Sequence, residues 1–216
     1  MRRILVGAVV ALGVALGGGA LGLFGGGGES SSPAPTVAPV GGDGLVQFVF
    51  TAETVAGFVV TEELRGSPNV VVGISDRVVG RVAVDPSDPA SVRLGEILVD
   101  ARAFDTGSGL RDRALRGLIL ETDAFPFIVF TPTRVEELET PAEGVTATVV
   151  GDLTVRGVTR PVSFAVTVAL EGDRLVGSAE ATVSRSDFGV EIPSVRGVAN
   201  VTDTVELFIE FVARRT

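Results

Sequence analysis

Apolar residues alternate with polar or small ones over much of the second half of the chain, and this pattern constrains the fold most. In the stretch 161–170 the apolar positions are Val162, Phe164, Val166, Val168 and Leu170. The same period of two runs through 145–155, 175–184 and 204–212. Because successive side chains of a strand point to opposite faces, the alternation predicts strands with one buried face.

Weaker strand signals precede this region, at 46–50, 57–61, 70–74, 78–84, 94–103 and 127–131. Turn-forming residues separate the runs, at 85–89, 156–158 and 171–173. The Glu171-Gly172-Asp173 turn lies between two strongly alternating runs and predicts a hairpin. Short turns between many strands predict an antiparallel sandwich or closed barrel.

Only one stretch has helical spacing. Leu110, Ala114, Leu115 and Leu118 fall on one face of a helix of about three turns, which we expect to cover one end of a barrel. An eight-stranded barrel either fills its interior with side chains or holds one ligand. The sequence is therefore compatible with both a packed core and an open lumen.

The N-terminus carries a targeting pattern. Arg2 and Arg3 precede an uncharged apolar run from Ile4 to Phe24. This predicts that residues 1–24 form a membrane anchor or a signal peptide, with the rest of the chain outside the cytoplasm. If the segment is cleaved, the protein is instead secreted or periplasmic. Residues 25–44, rich in Gly, Ser and Pro, predict a flexible linker, and 45–216 a single domain.

Composition excludes several functions. A net charge of -9 argues against nucleic acid as a partner. The sequence has no Cys and no His, so we expect no soft metal site and no cofactor. Ser184, Ser186 and Asp187 lie close together, but no His or Lys is present to act as a base, which argues against catalysis.

Four motifs occur in order along the domain. They are Asp105-Thr106-Gly107 with Arg111-Asp112, FPFIVF at 125–130, GDLTVRGVTRPV at 151–162, and SRSDFG at 184–189. This set resembles the YceI-like family, also described as polyisoprenoid-binding or lipid-binding proteins.

The resemblance implies an all-β fold, an extended antiparallel lipocalin-like barrel with a short helix beside it. It also implies non-catalytic binding of an isoprenoid or similar long amphiphilic lipid in an apolar lumen. The alternative is an envelope structural or interaction domain with a packed barrel and no ligand. Strand edges left by the N-terminal strands would allow two copies to pair, so a homodimer is a further alternative.

Candidate binding residues fall into two groups. Arg111 and Asp112 begin the predicted helix, where Arg111 could face a phosphate head group or pair with Asp112. Arg185 and Asp187 flank a turn, where they either meet the ligand or form a structural ion pair. The predicted lumen residues are Phe164, Val166, Val168, Leu207 and Ile209.

Overall fold

The computed structural model describes residues 37–216 except 39, 43, 86, 141–143 and 194–197. The strands of this part are β1 (Val46–Phe50), β2 (Val55–Leu64), β3 (Ser67–Ser75), β4 (Val78–Val79), β5 (Arg81–Asp85), β6 (Asp88–Leu94), β7 (Ile97–Asp100), β8 (Phe127–Glu139), β9 (Val145–Val155), β10 (Val158–Glu171), β11 (Arg174–Ser184), β12 (Val198–Ala199) and β13 (Thr204–Arg215). The helical elements are α1 (Gly109–Ala114), a π-helical turn (Leu115–Ile119) and two 3₁₀ turns (Ala101–Ala103 and Arg185–Phe188).

The strands form one antiparallel sheet in the order β4-β7-β8-β9-β10-β11-β13-β1-β5-β6, with β2, β3 and β12 joined to it through β13. Its first strand, β4, lies close to the opposite end, because only Gly80 separates β4 from β5, and the Gly80 carbonyl accepts a 3.1 Å hydrogen bond from the N–H of Phe50 in β1. The sheet is therefore strongly curled. The predicted all-β antiparallel class with one short helix is confirmed at this level.

Strand β13 organises the sheet. It pairs along its length with β11, and on its other side with β2 near its start and with β1 near its end. Where β1 passes into β2, the fully buried Thr54 hydroxyl donates to the carbonyl of Val212 and accepts from its N–H, both at 3.1 Å. The first and last strands are thus joined by side-chain as well as ladder hydrogen bonds.

Two predicted turns are tight hairpins. Val155 pairs with Val158 and Glu171 with Arg174, so each loop has two residues. In the first loop both residues have positive φ, Arg156 at 50° and Gly157 at 73°. This geometry matches the twist of the flanking strands and sets the long register of β9 against β10.

Three local predictions differ from the structure. The turn predicted at 85–89 is shorter than expected, because strand β6 begins at Asp88 and includes a proline. Among the described strands β6 pairs only with β5, and such an edge strand can lack an N–H donor. The predicted strand 94–103 is broken at Gly95 and ends in the 3₁₀ turn, while Leu170 is 66% exposed at the far end of β10.

The helical segment also differs from its predicted face. Leu115 is buried, but Leu110 and Leu118 are 78% and 65% exposed. The helix changes from α to π at Leu115, where the N–H of Leu120 donates to the Leu115 carbonyl at 2.8 Å. This change of period shifts Leu118 relative to a regular α-helical spacing. Leu110 precedes the change and lies at the exposed start of α1.

Aromatic pairs pack the core at several levels. Phe130 and Phe164 meet edge to face with ring centroids 4.9 Å apart, and Phe50 stacks on Phe211 at 5.5 Å. Phe211 also lies over its cross-strand partner Gly177, where an added Cβ would come within 2.7 Å of the ring. The packed part of the core thus runs through β10, β11 and β13.

The predicted segment 1–24 and the predicted linker up to residue 36 lie outside the described residues. Near the linker's end, Val37 is buried and the Gly41 carbonyl accepts from Arg93 at 3.1 Å. No helix within the described part of the chain is both long enough and apolar enough to span a membrane.

Candidate functional site

An apolar cavity of about 520 Å³ lies between the helical segment, strand β2 and the inner face of the sheet. Its apolar lining consists of Phe58, Val60, Leu64, Val71, Phe104, Leu110, Ala114, Leu115, Ile119, Leu120, Ile128, Leu153, Val155, Val183, Phe188, Val190, Ile192, Pro193, Val198, Val201, Val205 and Leu207. Its polar or charged lining consists of Glu62, Arg65, Thr106, Ser108, Arg111 and Arg185. The cavity therefore offers a largely apolar surface with a few fixed polar groups.

Glu62 is the one carboxylate in this lining, and it is only 6% exposed. Its Oε1 accepts hydrogen bonds from the Asn69 side-chain amide at 2.9 Å and from Arg111 at 3.3 Å. Both partners are needed, because a buried carboxylate without donors would be costly. The pair also ties strand β2 to the helical segment.

Arg111 lines the cavity as one of the predicted site residues, but its ionic partner is Glu62. The alternative pair with Asp112 is wrong. Asp112 is buried and accepts from the N–H and hydroxyl of Thr106, at 2.9 and 2.6 Å. Two adjacent helical residues point in different directions, so Asp112 holds the loop before the helix while Arg111 faces the cavity.

Arg185 also lines the cavity, whereas Asp187 lies in a separate polar groove formed by β10, β11 and the second 3₁₀ turn. Arg185 donates to the carbonyls of Val190 and Thr202, at 2.9 and 3.2 Å, and its ionic partner is Asp203 at 3.9 Å. The Ser186 hydroxyl donates to Asp203 and holds the pKa of that carboxyl below its usual range.

The predicted lumen residues divide between cavity and core. Leu207 lines the cavity. Phe164 and Ile209 are buried in the packed core, and Val166 and Val168 are half-buried against it. Ligand contact by any of these residues, by Arg111 and Asp112, or by Arg185 and Asp187 stays a prediction.

Glu62 and Arg65 line the cavity but were not among the binding residues predicted from the sequence. A signal for Glu62 was present, because Phe58, Val60, Glu62 and Leu64 follow a period of two. That phase places a carboxylate on the inward face of an otherwise apolar strand. Arg65 carries no comparable signal, since it lies in the turn after β2 with a φ of 53°.

A curled antiparallel sheet that encloses an apolar cavity, with a helical segment as one wall, defines a class of small β proteins with an internal pocket. A family model described as the YceI-like domain matches residues 49–213. The chain therefore belongs to the YceI-like family, and the resemblance noted from its motifs is confirmed.

Two curated relatives match about half of the chain. Protein YceI of Shigella flexneri is 29% identical over 119 residues, covering 52% of this chain and 59% of that protein. A UPF0312 protein of Pseudomonas aeruginosa (strain LESB58) is 28% identical over 120 residues, covering 52% and 60%. The chain thus matches less than two thirds of the length of these relatives.

Solved structures share the fold. The crystal structure of Burkholderia cenocepacia BcnA has a TM-score of 0.60 and 23% identity, covering 74% of this chain and 96% of that one. A polyisoprenoid binding domain from Saccharophagus degradans, implicated in plant cell wall breakdown, has a TM-score of 0.62 and 14% identity, covering 80% and 99%. At these identities the likeness establishes the fold alone.

Proposed function

We propose that this protein binds an isoprenoid or a similar long amphiphilic lipid without catalysing a reaction on it. The observation that carries the proposal is the cavity of about 520 Å³, which lies within the size range of small-molecule sites. Of the two hypotheses drawn from the sequence, the cavity favours a lipid binder over a packed structural domain.

The lining supports an apolar ligand. Each methylene moved from water into such a surface contributes roughly 0.8 kcal/mol, so eight of them supply about 6 kcal/mol before the cost of association. Branched isoprenoid chains match a wall built from Val, Leu, Ile and Phe. A chain too long for the cavity would extend through its opening.

The charged groups support an amphiphilic ligand with a polar end. Arg65 and Arg111 lie on the same side of the cavity as Leu64 and Leu110, where the lining becomes solvent-exposed. A polar head group held there would keep its hydration while its tail enters the cavity. The description of the Saccharophagus degradans domain as polyisoprenoid binding supports the same ligand class.

The test is native mass spectrometry of the full chain in detergent, incubated with the isoprenoid alcohol geranylgeraniol. We expect the unaltered chain to retain one molecule. Val183→Phe adds a ring to the cavity wall, and we expect it to weaken binding about tenfold or more.

Thr167→Phe is the matched control, because it adds a similar bulk at an exposed position of β10 outside the cavity. Equal retention by the Val183→Phe and Thr167→Phe variants would show that the lipid lies elsewhere. No uptake by the unaltered chain would contradict the proposal.

We also propose that the domain lies outside the cytoplasm, held to the membrane by residues 1–24. The sequence pattern Arg2-Arg3 before the apolar run supports this orientation. The intact mass of protein isolated from cells decides between a retained anchor and a cleaved signal. Digestion of the domain by protease added to spheroplasts would support the location, and protection from protease would contradict it.

A further inference from the structure

We propose that the opening of the cavity is a docking surface for an anionic lipid bilayer. The surface consists of Leu64, Leu110 and Leu118 together with Arg65, Arg113 and Arg116, and we call it the rim. The inference rests on the proposed function in one respect, namely that a docked rim would place the cavity opening against its source of ligand.

The rim marks the place where the cavity meets solvent. Leu64 and Leu110 both line the cavity, yet they are 38% and 78% exposed. They lie on different elements, the end of β2 and the start of α1. The opening is therefore flanked by leucines from two sides.

The outward face of the helical segment continues the rim. Its exposed residues are Gly109, Leu110, Arg113, Gly117 and Leu118. A water-facing side normally carries polar residues, but here two large leucines flank an arginine. Leu110 and Leu118 are about 12 Å apart along the segment axis, so the apolar strip is long enough to contact several acyl chains.

The charge of the rim differs from that of the chain. Within the described residues Arg65, Arg113 and Arg116 form no ion pair. Of the acids next to them in sequence, Glu62 pairs with Arg111 and Asp112 is buried against Thr106. The exposed Glu63 accepts from the Asn200 side chain at 2.9 Å but keeps its charge. The three arginines of the rim thus outnumber the one exposed carboxylate beside them in sequence, on a chain of net charge -9.

The exposed leucines and the arginines of the rim together favour an anionic lipid bilayer as the binding partner. Leucines surrounded by arginines are typical of surfaces that lie at the interface of anionic bilayers, with the arginines at head-group level. A second copy of the chain fits poorly, because a twofold contact would bring two such arginine-bearing surfaces together. The acidic remainder of the chain opposes docking weakly, since charges beyond about 8 Å are screened at physiological ionic strength.

The test is tryptophan fluorescence. Because the sequence contains no Trp and no Tyr, the fluorescence of one introduced tryptophan reports the surroundings of that position alone. The full chain carrying Leu118→Trp is added to vesicles of equimolar phosphatidylglycerol and phosphatidylcholine with brominated acyl chains. Leu170→Trp is the matched control, since Leu118 and Leu170 are 65% and 66% exposed but Leu170 lies on β10. Any attachment through residues 1–24 is common to both variants, so their difference reports on the rim.

We expect bromine to quench the tryptophan of the Leu118→Trp variant several-fold more than that of Leu170→Trp. Adding Arg113→Gln and Arg116→Gln should remove most of that difference, because each arginine near an anionic surface changes partitioning about fivefold. Vesicles of phosphatidylcholine alone should also reduce it. Circular dichroism checks that each variant is folded.

Equal quenching at the two sites would overturn the docking proposal, as would a difference that persists without the arginines. So would quenching absent from both variants with the protein sedimenting as a dimer, which would instead indicate a second copy at the rim. Geranylgeraniol retention that depends on Val183 would leave the proposed function standing in any of these cases. Docking without such retention would contradict the proposed function alone.

Discussion

At the scale of single residues, Glu62 shows how one carboxylate connects the cavity to the helical segment. Its side chain is 7% exposed and that of Arg111 is 30% exposed, so the pair is buried at one end and hydrated at the other. Breaking such a pair by removing one partner leaves the other charge in a poorly solvated place.

Arg111→Met should therefore lower the free energy of unfolding by about 1–3 kcal/mol, measured by urea denaturation. Adding Glu62→Gln to this variant should recover part of the loss, because no unpaired buried carboxylate then remains. Arg134→Met serves as the control, since Arg134 and Glu136 are 59% and 45% exposed and should contribute little. A loss equal to that of the control would show that the pair is not stabilising.

Asp100 makes stability depend on pH. Burial opposes its ionised form, but the guanidinium and N–H of Arg102 donate hydrogen bonds of 2.9–3.0 Å and outweigh that cost, so the pKa of Asp100 lies below its usual range. Because the folded pKa is below the unfolded one, this contribution is complete above the unfolded pKa. It is lost as pH falls below about 4, through the folded value.

Asp100→Asn should cost about 1–3 kcal/mol at neutral pH, because it removes charge-assisted hydrogen bonds at a 3% exposed site. Urea denaturation at neutral pH and near pH 3 should show a smaller difference between variant and original at the lower pH. A difference that does not change with pH would contradict this account of Asp100.

At the scale of elements, the sheet depends on close contacts between glycines and aromatic rings. Gly177 of β11 faces Phe211 of β13, and a Cβ there would also come within 2.2 Å of the Thr167 carbonyl on β10. The ring can shift, but the backbone oxygen belongs to a paired strand and cannot move without disturbing the ladder.

Gly177→Ala should consequently lower stability by about 1–3 kcal/mol through overpacking, seen as a reduced Tm. Gly109→Ala is the matched control, because nothing lies within 4 Å of its added Cβ and alanine suits a helical position. We expect this variant to be as stable as the original or up to about 1 kcal/mol more stable. A similar fall in Tm for both would refute the packing argument.

At the scale of the whole molecule, the chain joins its two ends within one sheet. The Thr54 hydroxyl is 158 residues from Val212 along the sequence, and it satisfies both backbone groups of that residue. The N–H of Thr51 also donates to the Val212 carbonyl at 2.8 Å. This clamp holds the bend between β1 and β2 against β13.

Thr54→Val keeps the shape of the side chain but removes the acceptor of the half-buried Val212 N–H, at a cost of about 1–3 kcal/mol. Hydrogen exchange should show faster exchange of the Val212 amide and of the β1 ladder. Thr54→Ser retains the hydroxyl and should restore protection at Val212. Unchanged exchange in the valine variant would mean that water replaces the hydroxyl.

Much of this architecture was predictable because its determinants are local. The alternation in 145–155 and the turns at 156–158 and 171–173 specify their strands without reference to distant residues. The predicted helical face holds for Leu110, Ala114 and Leu115, which all line the cavity, but it is wrong at Leu118, since regular spacing does not reveal a π turn. Strand β6 was missed because its proline is acceptable only at an edge, and edges are defined by the whole sheet.

The site was predictable only in part for the same reason. Arg111, Arg185 and Leu207 line the cavity, but Phe164 and Ile209 share the inward period and lie in the packed core instead. A period of two in the sequence shows which side chains of a strand point into the protein and which point to solvent. Whether an inward side chain is packed in the core or lines the cavity depends on the residues that face it from the opposite wall.

The sequence by itself determined the antiparallel all-β class, the hairpins and the family, because alternation, turn residues and motifs are read along the chain. Only the tertiary structure decided which residue pairs with Arg111, which of the inward side chains line the cavity, and that the leucines of the rim are exposed. Those features depend on contacts between residues far apart in sequence, such as Glu62 with Arg111, and no local pattern specifies which distant side chains will meet.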